Sequence, residues 1–207
     1  DEETPIYADA VILAVPARVA ATLTKDFAPE PAGHLSGIRY EGVGIATFAY
    51  KRADVSHPLD AYGVVIPGSE GRKIDGLTWS NAKWPNRAPD DTVLLRAFFG
   101  GPNTRSMIDL LDEALLTTLR QELSDIMGIQ AEPLFHTIRR LPQVYPQYDV
   151  GHKERVTAIE ASMPTGLYVV GKAYHGVGMP DTIHHGKRTA AKIIETVPQS
   201  LRAGEEQ

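Results

Sequence analysis

The chain has 207 residues, 43% of them hydrophobic and 23% charged, with a formal net charge of −5. That length allows one or two domains with a sizeable core, and an acidic balance without a lysine/arginine stripe argues against nucleic acid as the main partner. With no cysteine, disulfides, thiolate-bound zinc and thiol nucleophiles are excluded, and no apolar run approaches the roughly 20 residues needed to cross a bilayer. The composition suits a reducing cytoplasm. The first residue is Asp1 rather than Met, and a buried-type strand follows almost at once. This start is read as a processed terminus or as the later part of a longer protein.

Residues 10–15 form an apolar run ended by Pro16, and residues 17–23 are helix-like, together a strand–turn–helix unit. Residues 29–37 hold two prolines and two glycines and read as a loop. The period then changes to that of extended chain over 38–40, 43–50, 61–67, 74–80 and 92–101. Pro58, Gly68, Gly71, Pro85 and Pro89 sit in the connectors, as in a meander or mixed sheet. Residues 106–127 are the clearest helix. Ile108, Leu111, Leu115, Leu119, Leu123 and Ile126 make its apolar stripe, Ser106 and Asp109 fit a capping box, and Gly128 stands where a C-cap belongs. A strand over 134–141, a helix over 152–163, a strand over 167–170 and a helix over 180–196 follow, with a polar, mobile tail after Pro198. Strand–helix, strand-rich block, strand–helix is the order that inserting one domain into another would give.

Seven histidines invite a metal reading, but His184 and His185 are adjacent and diverge on a helix, and no H-E-x-x-H occurs, so no metal site is expected. There is no G-x-S-x-G elbow, and Ser80 in TWSNAKW lacks flanking glycines. Asp90 and Asp91 lie in a proline-flanked loop and read as solvated turn residues. Neither G-x-G-x-x-G nor G-x-x-x-x-G-K-[ST] is present. The stretch GLYVVGKAYHGVGMPDTIHHG does clear side chains from before a helix start, through Gly176, Gly178 and then Met179-Pro180-Asp181. A tight strand–helix turn would account for it. Bare N–H groups at the positive end of a helix would equally favour a partner that develops negative charge, as a reduced flavin does.

Five segments, YADAVILAVPARVAATL, YGVVIPGSEGRKIDGLTWSNAKWPNRAP, LLRAFFGG, YPQYDVGHKERV and GLYVVGKAYHGVGMPDTIHHG, occur in an order that resembles the C-terminal half of oxygen-dependent protoporphyrinogen oxidases. These are of the soluble bacterial type within the FAD amine-oxidase/phytoene-desaturase superfamily. The resemblance covers about residues 7–194. It implies an α+β or α/β protein, with a mixed-sheet substrate domain under covering helices and strand–helix pieces of a Rossmann-like FAD domain. The corresponding division is 1–28 and 151–197 for FAD-domain pieces, 29–150 for the substrate domain, and 198–207 for the tail. The glycine-rich ADP-binding fingerprint of the family is absent, so the resemblance implies a fragment that lacks the N-terminal FAD-domain half and is inactive alone.

By position, the resemblance places Val177, Gly178, Met179 and Asp181 against FAD, and Lys153 where some relatives carry a flavin-contacting Trp. Tyr62, Val65 and Phe98 fall at positions lining the tetrapyrrole pocket, although by pattern alone they read as sheet core. No residue is assigned as a catalytic acid or base. The implied partners are a porphyrinogen, protoporphyrinogen IX or coproporphyrinogen III, and O2. A homodimer and a cytoplasmic place, with peripheral membrane attachment left open, complete the expectation. Another flavin oxidase or desaturase of the superfamily, and a non-catalytic tetrapyrrole-binding module, remain the alternatives.

Overall fold

The computed structural model describes residues 4–196. In chain order the elements are β1 (Val11–Leu13), α1 (Ala17–Thr24), α2 (Pro29–Ser36), β2 (Tyr40–Lys51), β3 (Gly63–Val65), β4 (Gly76–Trp79), α3 (Ser80–Lys83), β5 (Thr92–Phe99), α4 (Asp112–Met127), β6 (Phe135–Pro146), α5 (His152–Ser162), β7 (Leu167–Val169) and α6 (Met179–Thr196). They form two compact units. One joins the chain up to Tyr40 with the chain from Pro146 onward, and the other is Glu41–Tyr145. The chain thus passes between units at 40/41 and 145/146, not at 28/29 and 150/151. The expected mobile tail lies outside the described residues.

In the discontinuous unit, β1 and β7 pair in parallel, with Val11 opposite Leu167 and Leu13 opposite Val169. Two strands far apart in sequence can pair in parallel only through a long crossover. The core here collects Ala17, Ala20 and Leu35 with Val156, Ile159 and Tyr174. The alanines let the helices approach closely, and Tyr40 accepts a hydrogen bond at its hydroxyl from the Ala17 N–H (2.9 Å) at the start of α1.

Residues 29–36 are helix α2 with Gly37 as its C-cap, not the loop expected over 29–37 from two prolines and two glycines. Pro29 and Pro31 both sit in the first turn, where N–H groups have no intrahelical partner, so the ring costs nothing there. Leu35, at 0% exposure, anchors the helix between α1 and α5.

The second unit is built on a five-stranded sheet in the order β3-β4-β5-β2-β6. The ladders β3/β4, β4/β5 and β5/β2 are antiparallel. Along β5 the side chains alternate, with Val93, Leu95, Ala97 and Phe99 buried and Leu94, Arg96 and Phe98 half-buried on the other face. The buried face packs on α4 through Leu115, Leu119 and Leu123.

Helix α4 starts at Asp112, six residues after the expected start, and the Ser106/Asp109 capping box is not formed. A short 3₁₀ turn, Arg105–Met107, precedes it. Arg140 on β6 donates to the Ile108 carbonyl (2.9 Å) and to the Leu110 carbonyl (2.7 Å), and carbonyls satisfied by a side chain have no need of a continuing helix. Leu111 consequently leaves the apolar stripe and is exposed. At the other end Gly128 caps the helix at φ 70°, as its sequence position predicts.

Candidate functional site

The start of α6 is assembled by three segments of the discontinuous unit. Gly176 adopts φ 139°, a conformation open to glycine and little else. A Cβ there would lie 2.4 Å from the Asp181 Cβ, and one on Gly178 would lie 2.9 Å from the Asp181 Oδ2. The two glycines therefore make room for the Asp181 carboxylate as it folds back over the helix start. The first N–H groups of α6 have no partner inside the helix, and Pro180 brings none. Val177 and Met179, 56% and 80% exposed, present apolar side chains beside this end.

Tyr148 holds the turn. Its hydroxyl accepts from the Gly176 N–H (2.8 Å) and donates to the Lys172 carbonyl (2.9 Å), while its ring stacks on His152 at 3.8 Å between centroids. Burial pushes the phenol above its ordinary value, with the Gly176 hydrogen bond opposing. The sequence motifs YPQYDVGHKERV and GKAYHGVGMPD are thus parts of one structure. Lys153 is exposed on the first turn of α5, directly after His152. Asp149, one residue after Tyr148, is hydrogen-bonded by Arg39, and that bond holds its carboxyl below the usual range.

Farther along α6, Glu160, His175 and His185 come together, with one donor atom from each within 4.8 Å of the others. His175 and Glu160 share a 2.6 Å hydrogen bond. Burial first, and the neighbouring His175 second, hold the His185 imidazole below its ordinary pKa, with Glu160 opposing. Adjacency in sequence drew attention to His184 with His185. The fold instead puts His185 with two residues from other segments. These three also line an open concavity of about 560 Å³, together with Arg188, Thr189 and Lys192 of α6.

In the Glu41–Tyr145 unit, Tyr62, Val65 and Phe98 line one open cavity of about 370 Å³, together with Gly76, Leu77 and Lys83. Gly76 pairs with Val65 on one side and Phe98 on the other, so its missing side chain leaves the hollow between them. Its backbone is also too close to β3 for a Cβ, which would lie 2.6 Å from the Val64 carbonyl oxygen. Tyr62 and Val65 are 68% and 85% exposed, so neither is sheet core. Phe98 is half-buried, whereas its neighbour Phe99 is 0% exposed. Asp75 also borders the cavity, but its carboxylate accepts from the Gly101 N–H (2.9 Å) and the Thr104 hydroxyl (2.9 and 2.8 Å). The Arg96 guanidinium lies over the Phe98 ring, 5.3 Å from its centroid. Sequence reasoning passed over Arg96 and Tyr148, although each lies inside a quoted motif.

A family model described as flavin containing amine oxidoreductase matches residues 1–194. A coproporphyrinogen III oxidase from Bacillus subtilis (strain 168) is 32% identical over 94% of this chain and 42% of its own length. A chloroplastic protoporphyrinogen oxidase from Oryza sativa subsp. japonica is 25% identical over 93% of this chain and 39% of its own. Among solved structures, "Putative protoporphyrinogen oxidase from Exiguobacterium sp. 255-15" superposes with a TM-score of 0.76 at 31% identity, covering 93% of this chain and 42% of that one. A putrescine oxidase, at 18% identity and a TM-score of 0.68 over 90% of this chain and 42% of its own, shares the fold. The chain spans less than half the length of these relatives. With residues 1–194 matched by the family model, the chain belongs to the flavin containing amine oxidoreductase family.

Proposed function

We propose that this chain is part of an FAD-dependent porphyrinogen oxidase, with the α6 start contributing to the flavin site and the Glu41–Tyr145 unit binding the tetrapyrrole. The observation that carries the reading is the open apolar cavity at Tyr62, Val65 and Phe98 in a chain of this family. A flat, largely apolar ligand needs such walls and few polar anchors. The name of the Bacillus subtilis relative, more similar to this chain than the plant protoporphyrinogen oxidase, favours coproporphyrinogen III over protoporphyrinogen IX as substrate.

The α6 start fits a flavin edge by its chemistry. Val177 and Met179 offer exposed apolar contact for a flat ring beside the start of α6, where the Asp181 carboxylate already faces the positive helix end. When bound, the flavin would accept a hydride from a ring carbon and pass two electrons to O2, giving hydrogen peroxide. The share of this chain is positional: Tyr148 fixes the Gly176 turn, Asp181 fills the space before the helix, and Phe98 with Val65 holds the face of the macrocycle. Lys153, on α5, is a further candidate for the cofactor's surroundings. No side chain needs to act as an acid or base.

Titration of the 207-residue chain with coproporphyrin III tests the tetrapyrrole assignment. Saturable binding that shifts the Soret band and quenches tryptophan emission is expected, because Trp84 follows Lys83 at the cavity edge and is exposed. No saturable binding would refute the assignment. The same chain, which has no ADP-binding glycine fingerprint, is expected to leave coproporphyrinogen III unoxidised above background. Porphyrin formation at an enzyme-like rate would show that it needs no further segment.

A further inference from the structure

We propose that Arg96, seconded by Lys83, forms a carboxylate subsite at the edge of the Phe98 cavity, where it takes a propionate-type side chain of the tetrapyrrole. This inference rests on the tetrapyrrole reading of that cavity. Arg96 and Phe98 are two residues apart on β5 and share its half-buried face. Across the sheet Arg96 faces Thr47 on β2 and Thr78 on β4, neither of which carries a charge. Among the described residues the guanidinium has no ion-pair or hydrogen-bond partner, only the Phe98 ring beneath it.

Among the described residues, four of the seven other arginines of this unit are held in ion pairs. Arg72 pairs with Asp125 (3.0 Å), Arg105 with Glu41 (2.7 Å), Arg120 with Glu132 and Arg140 with Asp112. Arg96 instead lies over the ring of Phe98 and opposite Thr78, two residues that line the hollow, with its five donors unspent among the described residues. Lys83 borders the same cavity, and among the described residues its Nζ contacts only the Trp84 ring, at 5.9 Å from the centroid. Its place is fixed by Asn81 on α3, which donates to the Thr92 carbonyl (2.8 Å) and accepts from the Leu94 N–H (2.7 Å) on β5. Among the described residues the one carboxylate bordering the hollow, Asp75, is turned to Gly101 and Thr104 and pairs with neither cation. An apolar wall rimmed by two unpaired cations is complementary to a flat apolar body carrying acidic arms.

The probe is coproporphyrin III, with four carboxylates, set against protoporphyrin IX, with two, both titrated into the 207-residue chain. Arg96→Gln is expected to weaken coproporphyrin III roughly ten- to a hundredfold, the range of a charge-assisted hydrogen bond. Arg96→Lys should recover part of that, and Lys83→Gln should weaken binding severalfold in low salt. If Arg96→Gln loses the cooperative tryptophan melt, Arg96→Met, whose chain still covers Phe98, replaces it. Unchanged coproporphyrin affinity in the arginine variants, with Phe98→Ala still weakening it, would overturn the subsite and leave the cavity assignment standing. Absence of porphyrin binding to the wild-type chain would overturn both.

Discussion

Truncation of Phe98 and of its neighbour Phe99 should have opposite signatures. Phe99 is fully buried, and a Cβ on Gly44 across the ladder would lie 2.0 Å from its ring, so the space around it is filled. Phe99→Ala removes a packed ring that its surroundings cannot replace, and should cost about 3–5 kcal/mol. Phe98 is half-buried beside a cavity. Its truncation forfeits about half of a full burial term, roughly 1 kcal/mol, and the Arg96 contact, about 0.5–1 kcal/mol. The Phe98→Ala loss is therefore about 2 kcal/mol. For a unit of roughly 100 residues, 1 kcal/mol shifts the melting temperature by about 4–8 °C. Both tryptophans, Trp79 and Trp84, lie in the Glu41–Tyr145 unit, so intrinsic emission reports that unit. Urea and thermal melts followed at that wavelength measure stability, and coproporphyrin III titration measures binding. Phe98→Ala should weaken the porphyrin at least tenfold while remaining folded at 25 °C. Phe99→Ala should lose more stability than Phe98→Ala, with porphyrin affinity of the folded fraction little changed. A larger stability loss for Phe98→Ala, with unchanged porphyrin affinity, would mean that the two faces of β5 have been assigned the wrong way round.

Gly176→Ala forces a side chain into both an unfavourable φ and the Asp181 Cβ, and should cost about 1–3 kcal/mol, measured by urea denaturation followed by circular dichroism. Tyr148→Phe removes one acceptor and one donor at the same turn. The Gly176 amide should then exchange with solvent about tenfold faster, with global stability reduced by about 1 kcal/mol. His185 is held neutral in the fold, so its contribution to stability is complete above the unfolded histidine pKa of about 6.5 and is lost as pH falls from there through the lower folded value. The melting temperature should drop between pH 7.5 and 5.5, and His185→Gln should flatten that slope; an unchanged slope would remove His185 from the account. Glu122, buried in α4, accepts the Lys73 N–H at 3.0 Å with Arg72 nearby, so Glu122→Ala should destabilise by about 1–3 kcal/mol in the tryptophan melt.

What could be read from the sequence follows from short-range periods. Strand alternation over 92–99 requires Phe98 and Phe99 to point to opposite faces, but which of them faces the core was decided by the packing of Phe99 with the α4 leucines. Leu115, Leu119 and Leu123 recur at helical spacing, and Gly128 is needed where the chain turns left-handed, so α4 and its end were legible locally. The order of elements likewise announced one segment inserted within another. What the sequence concealed depends on partners distant along the chain. Whether residues 29–36 are helix was decided by burial of Leu35 between α1 and α5, against the apparent message of two prolines. Where α4 begins was decided by Arg140, 28 residues beyond Asp112, which draws the carbonyls of Ile108 and Leu110 out of the helix. That Gly176 and Gly178 make room for Asp181, and that Tyr148 holds their turn, required two segments to meet. Local periodicity records which side chains share a face; only the packed chain supplies the atoms that face is set against.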